Sequence, residues 1–239
     1  MSPRTPLLRP DGYFAERDPD FPRIAAVVGL LIAAGPAVVY GVGWVLAANL
    51  DGTVTVDNPE RPPDWVCEDD TSSEMFDDAD CDAPREIERN VDTVLWDAIG
   101  ELAGPAVVAS PLALAVLTLL LHAGAWLAGA ERGLVSTVVV AAWGTVPTLL
   151  LLPVSLVGLH LALDPVTVSP GVDPGTAIEP VLDRIRAFEP YGAVVTLVTA
   201  VWGGVVWRFG LVHEQGLPGT EATVIAGIVA LLAAAVGLA

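Results

Sequence analysis

Two cysteines, three histidines and one dense run of acids are the side chains here with chemistry to offer. Cys67 and Cys81 are the only cysteines and stand 14 positions apart. In an oxidising compartment they would close a loop of about 15 residues, worth roughly 3 kcal/mol by chain entropy. Two free thiols, or half of a metal site, are the alternatives, although zinc usually wants four ligands and no His is near. Residues 68–82 are crowded with Asp and Glu. Hard oxygen donors suit calcium, but the spaced Asp pattern and internal Gly of an EF-hand loop are missing. A solvated, salt-adapted face is the better reading. His122 falls inside a long apolar stretch, His160 near the end of another, and His213 in a short polar segment beside Glu214. A histidine inside a membrane can relay protons or bind a ligand. With no carboxylate in the apolar stretches to partner it, His122 reads as a neutral group hydrogen-bonded across helices. Ser110, Ser136 and Ser155 lie in apolar runs. No Gly-x-Ser-x-Gly elbow, His-Glu-x-x-His helix or Walker phosphate loop accompanies them. The chain therefore predicts no catalytic residue, no cofactor and no metal.

The elements that carry these residues are five apolar stretches without a single charged side chain: 24–50, 104–129, 134–163, 191–207 and 222–239. About 20 apolar residues span a bilayer core as a helix, so each is long enough or nearly so. The bulk numbers agree: 53% hydrophobic, mean hydropathy +0.60 and 17% charged. A soluble domain carries nearer a quarter charged residues. The expected fold is all-α, a polytopic membrane bundle of five transmembrane helices with short interfacial amphipathic helices. The third stretch holds Pro147 and Pro153. A bend is expected near Pro147, with regular helix lost near Pro153, since proline removes an intrahelical hydrogen bond.

Charge is lopsided, with 29 Asp plus Glu against 11 Arg, no Lys, and a net charge of −18. Acidic excess with lysine avoidance keeps a surface soluble where salt screens its repulsion. That composition predicts a halophile's protein and excludes nucleic acid as a natural partner. With a cytoplasmic N-terminus, arginine density is about twofold higher on the inner segments, as the positive-inside rule favours. Of the 29 acids, 22 then lie outside. Multi-pass insertion in the cell membrane, N-terminus cytoplasmic and C-terminus exterior, is the expected placement. The first stretch is too long for a cleaved signal core and is read as a retained helix.

Residues 1–23 form an N-terminal arm whose prolines, at 3, 6, 10, 19 and 22, rule out a long helix. It is expected to be an irregular strap on the inner membrane surface, gripping through Tyr13, Phe14 and Phe21. Residues 24–239 are the membrane domain. Within it, 51–103 form an acidic exterior loop ending in an amphipathic helix from Pro84 to Ala103, with apolar positions at three- and four-residue spacing. A second short amphipathic helix carries Val181, Leu182, Ile185 and Phe188. Trp44, Trp126, Trp207 and Tyr191 stand near span ends, as interfacial anchors do, whereas Trp143 and Trp202 lie mid-span and suit packing.

The hairpin containing Leu117 to His122, Gly129-Ala130-Glu131-Arg132-Gly133-Leu134 and Ala142-Trp143-Gly144-Thr145-Val146-Pro147 resembles the Yip1 family. So do the lead-in Arg9-Pro10-Asp11-Gly12-Tyr13-Phe14 and the final pair of spans around Trp202 to Ala222. The resemblance implies five spans, a cytoplasmic N-terminus, an exterior C-terminus and no catalytic residue. Eukaryotic relatives are linked to vesicle trafficking and small GTPases, attributes that do not carry over to a prokaryotic halophile. The acidic insertion departs from compact members. The expected role is a non-enzymatic scaffold contacting membrane lipids and other membrane proteins or itself, with no small-molecule substrate. The alternative is a small permease using Pro-broken helices as a polar pathway.

Overall fold

The computed structural model describes residues 5–16, 20–63, 67, 81–169, 171 and 174–238. Six helices and three strands are found among them: α1 (Pro10–Glu16), α2 (Phe21–Ala47), β1 (Leu50–Asp57), β2 (Glu86–Asn90), α3 (Val91–Leu127), α4 (Leu134–Ala162), β3 (Val166–Val168), α5 (Pro174–Gln215) and α6 (Gly219–Leu238). The helices α2, α3, α4, α5 and α6 are long and apolar enough to cross a membrane. The molecule is an all-α polytopic bundle.

Several boundaries differ from the sequence reading. The amphipathic segments before the second and fourth spans are not separate interfacial helices. They continue without a break into α3 and α5, which have 37 and 42 residues. At 1.5 Å per residue these run about 55 and 63 Å, roughly twice the hydrocarbon thickness. The expected helix from Pro84 starts later, because Asn90 caps α3 by accepting from the Asp92 N–H at 2.8 Å. Ile87 belongs to a strand instead. The short polar segment that holds His213 and Glu214 is helical, and both lie in the last turn of α5. Likewise α4 runs unbroken through Pro147 and Pro153. Neighbouring helices compensate such prolines by satisfying the freed carbonyls.

The three strands were not anticipated. They form a small sheet in the order β2-β1-β3, β1 antiparallel to β2 and parallel to β3. The β-branched run Thr53-Val54-Thr55-Val56 favours this conformation. Gly52, at φ +116°, lies against the Val168 carbonyl, where a Cβ would collide. Val54, Val91 and Val168 bury beneath the sheet and fix it to the start of α3. A second cluster, Val45, Leu163 and Val181, ties the ends of α2 and α4 to the early part of α5.

At the opposite end, Leu121 and Ala125 of α3 pack with Val140 and Ala141 of α4, Trp207 and Leu211 of α5, and Ala222, Ala226 and Val229 of α6. The closest approach is between α4 and α5. A Cβ on Gly144 would overlap the Trp207 indole, and one on Gly203 would stand 2.5 Å from the Gly144 carbonyl oxygen. Trp207 is only 4% exposed, so it is a packing residue rather than an interfacial anchor. Trp44, Trp126 and Tyr191 are outward-facing, at 62%, 68% and 67% exposure. Of the alanines at 222, 226, 230 and 234, which repeat in steps of four, Ala222, Ala226 and Ala234 are buried within the bundle.

Candidate functional site

The polar side chains gather at two ends. At one end the sheet, the disulfide and the ends of α2 and α4 meet. At the other, the arm and the short connections α3–α4 and α5–α6 meet.

The arm end carries a continuous polar chain. Its first link is His122 of α3, whose Nδ1 lies 3.0 Å from the Thr137 hydroxyl of α4. Thr137 is fully buried, and so is nearly all of Gln215, the only glutamine in the chain. The Gln215 amide is best satisfied with its oxygen toward Thr137, accepting from the hydroxyl at 2.9 Å and the backbone N–H at 3.3 Å. Its nitrogen then donates to the Arg132 carbonyl at 3.2 Å. That orientation settles the histidine too. A hydroxyl has one proton; if Gln215 takes it, Thr137 must accept from His122, which places a proton on Nδ1.

Arg132, on the α3–α4 connection, closes the far side. Its Nη1 donates to the carbonyls of His213 and Glu214, each at 3.0 Å, and lies 3.8 Å from the Glu214 carboxylate. A guanidinium against the last carbonyls of α5 suits the negative end of the helix dipole. His213 reaches outward, its Nε2 lying 2.7 Å from Asp11 of α1. The chain of contacts thus joins α3, α4, α5 and the arm. It holds hydrogen-bond donors and acceptors in fixed places. Ser110 and Ser155, the described serines with side-chain contacts, donate to the carbonyls of Ala106 and Leu151 one helical turn back.

The arm is not a surface strap. Pro6, Pro10, Tyr13 and Phe14 are buried, and Tyr13 and Phe14 pack with Ile24 of α2, Val139 and Trp143 of α4, and Val206 of α5. The Trp202 indole donates to the Leu7 carbonyl at 2.8 Å. Irregular backbone is tolerated at such depth because protein, not lipid, surrounds it.

At the sheet end, Asn49 donates one amide proton to the Val45 carbonyl at 2.8 Å and the other to His160 Nδ1 at 3.1 Å. An amide nitrogen only donates, so this Nδ1 is the acceptor and the proton of a neutral His160 sits on Nε2. Cys67 and Cys81 are joined in a disulfide with Cα atoms 5.6 Å apart. Arg61 holds the following residues, donating to the carbonyls of Cys81 at 2.9 Å and Ala83. Residues 68–80, where the calcium question was posed, lie outside the described residues. Among the described residues, no three His, Cys, Asp or Glu side chains converge where a metal ion could sit.

The singled-out intramembrane residues are not brought together. His122 belongs to the arm end, Pro147 is buried mid-way along α4, and Pro153 faces outward further along it. Near Pro147 a cavity of about 710 Å³ opens between α2, α3, α4 and α6, with Leu31, Leu117, Thr145, Thr148, Leu152 and Val229 among its walls. It is apolar, not the polar pathway expected of broken helices. Thr137 and Gln215 escaped the sequence reading, and Arg132 and Asp11 entered it only within the stretches that resemble the Yip1 family. A lone glutamine directly after His213-Glu214 was the one signal for Gln215.

The Yip1 domain family model matches residues 7–239. The chain belongs to the Yip1 family. The match begins at Leu7, whose carbonyl binds Trp202, so the inserted arm falls within the family's domain. No curated protein and no solved structure matches this Yip1 chain.

Proposed function

We propose that this Yip1-family membrane protein is a non-enzymatic scaffold, acting through contacts with lipids and with other membrane proteins or itself. It sits in the cell membrane of a salt-adapted archaeon, arm end cytoplasmic and sheet end exterior. The observation carrying the scaffold reading is how its buried polar groups are used. His122, Thr137 and Gln215 bond one another across three helices, while the outward faces present large apolar side chains such as Leu112, Leu161, Val201 and Leu231. Polar groups so engaged hold a rigid body together, and the apolar exterior is its working surface. Arginine density and the Cys67–Cys81 disulfide at the sheet end support the orientation.

A second reading, a small permease, draws on the cavity beside Pro147. Flux in proteoliposomes separates the two. The scaffold shows no selective flux, and crosslinking in native high-salt membranes captures the same protein neighbours repeatedly. Substrate-specific flux lost in both Pro147→Ala and His122→Ala would overturn the scaffold.

A further inference from the structure

We propose that the cleft between α2, α4 and α5 is a binding site for proline-rich apolar peptide, occupied in this structure by the chain's own arm. The arm descends into the bundle rather than crossing its rim. Asp11 meets His213 in the last turn of α5, whereas Leu7 meets Trp202, 11 residues or about 16 Å further along the helix. The walls are aromatic and aliphatic: Val27 and Val28 of α2, Trp143 and Val146 of α4, Trp202 and Phe209 of α5. Such walls suit a short apolar helix that opens on proline, as α1 does at Pro10, because proline is already set for the first helical position before it binds.

Backbone chemistry explains why proline belongs here. A segment lowered into an apolar cleft must satisfy every N–H it brings, and proline brings none. Pro6 and Pro10 are the arm's buried backbone positions of that kind. What remains to be matched is carbonyl oxygen, and the cleft answers with indole N–H groups. Trp202 binds the Leu7 carbonyl from the α5 wall. On the α4 wall, the buried Trp143 Nε1 has no hydrogen-bond partner among the described residues. Its ring lies 5.6 Å from that of Tyr13. A donor left unmatched beside the bound arm marks a place for a second carbonyl that the described residues of this occupant do not supply. Below the rim the hold is apolar packing of Tyr13 and Phe14, which a segment of like chemistry can reproduce. At the rim it rests on the Asp11–His213 contact, with the Asp11 side chain 66% exposed. A peptide with the arm's chemistry could therefore take its place. The cleft serves in a scaffold or a permease alike.

The test uses the full chain in vesicles, with its native cysteines oxidised and one new cysteine at Val206, which the arm covers. A charged methanethiosulfonate reagent reads its exposure. The thiol should react slowly in the parent and about tenfold faster or more when Tyr13→Ala and Phe14→Ala loosen the arm, as expected when local opening controls access. Asp11→Ala, a rim change that spares the apolar packing, should accelerate reaction in the same direction. A synthetic peptide of residues 5–16 should return the rate toward the parent's. Val229→Cys, in the α3–α6 cluster and on the wall of the apolar cavity away from the arm, should react at a rate that the arm variants leave unchanged. Three results would overturn the proposal: no acceleration at 206, equal acceleration at 229, or acceleration that saturating peptide fails to reverse.

Discussion

Replacing Gly144 with alanine puts a methyl group where the Trp207 indole already lies. The ring cannot simply swing away. It is 4% exposed, packed among Leu121, Val140 and Ala226, and its Nε1 donates to the Ala141 carbonyl at 3.4 Å. Overpacking of this kind costs about 1–3 kcal/mol. Losing a long interhelical hydrogen bond in a membrane bundle adds about 0.6 kcal/mol. Against both stands a gain of up to about 1 kcal/mol from alanine's higher helix propensity. Gly227→Ala in α6 isolates that gain, because nothing lies within 4 Å of its added Cβ. The difference between the two variants cancels the propensity and leaves about 1.5–3.5 kcal/mol.

Reversible unfolding in mixed micelles of mild detergent and dodecyl sulfate measures both variants on one scale. Gly144→Ala should fall below the parent and Gly227→Ala should equal or exceed it. In a Trp207→Ala background the obstacle is gone, and adding Gly144→Ala should cost little; the coupling in that cycle reports the contact itself. If Gly144→Ala and Gly227→Ala agree within about 0.5 kcal/mol, the close α4–α5 approach is not what holds these helices together.

Two further outcomes are expected. Arg132→Ala exposes the carbonyl end of α5 and removes the cation beside Glu214, whose side chain is 6% exposed against 56% for the arginine. With the arginine half in solvent, the cost should be about 1–2 kcal/mol by the same unfolding measurement, and adding Glu214→Gln should recover most of it. At the sheet end, reducing the Cys67–Cys81 disulfide should cost roughly 3 kcal/mol. An impermeant maleimide applied to intact cells should then label both thiols; labelling only after lysis would place the sheet end in the cytoplasm.

The spans were legible because hydrophobicity without charge has one physical solution in a chain of this length. Their ends were not. The apolar stretch stops at Trp207, where Arg208 opens a polar segment, yet a helix continues into water whenever its polar side chains find partners. Here Arg208 bonds Thr223 at 2.8 Å and His213 bonds Asp11. The sheet was hidden for a different reason. Thr53 to Val56 and Glu86 to Asn90 lie some 30 residues apart in an acid-rich stretch, and their pairing is non-local. Periodicity in one segment cannot reveal a partner in another. The arm was misplaced because prolines were counted as helix breakers only. Their missing N–H groups, which suit them to a buried cleft, say as much about where a segment can go as about its shape.

The length of α5 links these observations. Like α3 and α4 it touches both ends: Val181 packs with Val45 and Leu163 at the sheet end, and His213, Glu214 and Gln215 anchor the polar chain beside the arm. Between them, Gly203 and Trp207 lock it to Gly144 of α4. A helix held at its middle by backbone-close packing cannot slide along its neighbour without forcing Trp207 across the α4 surface. On the proposal made for the cleft, a change of occupant at one end would reach the sheet at the other through tilt or rotation about the Gly144–Gly203 contact rather than by sliding, because packed interfaces shift as rigid bodies rather than stretch.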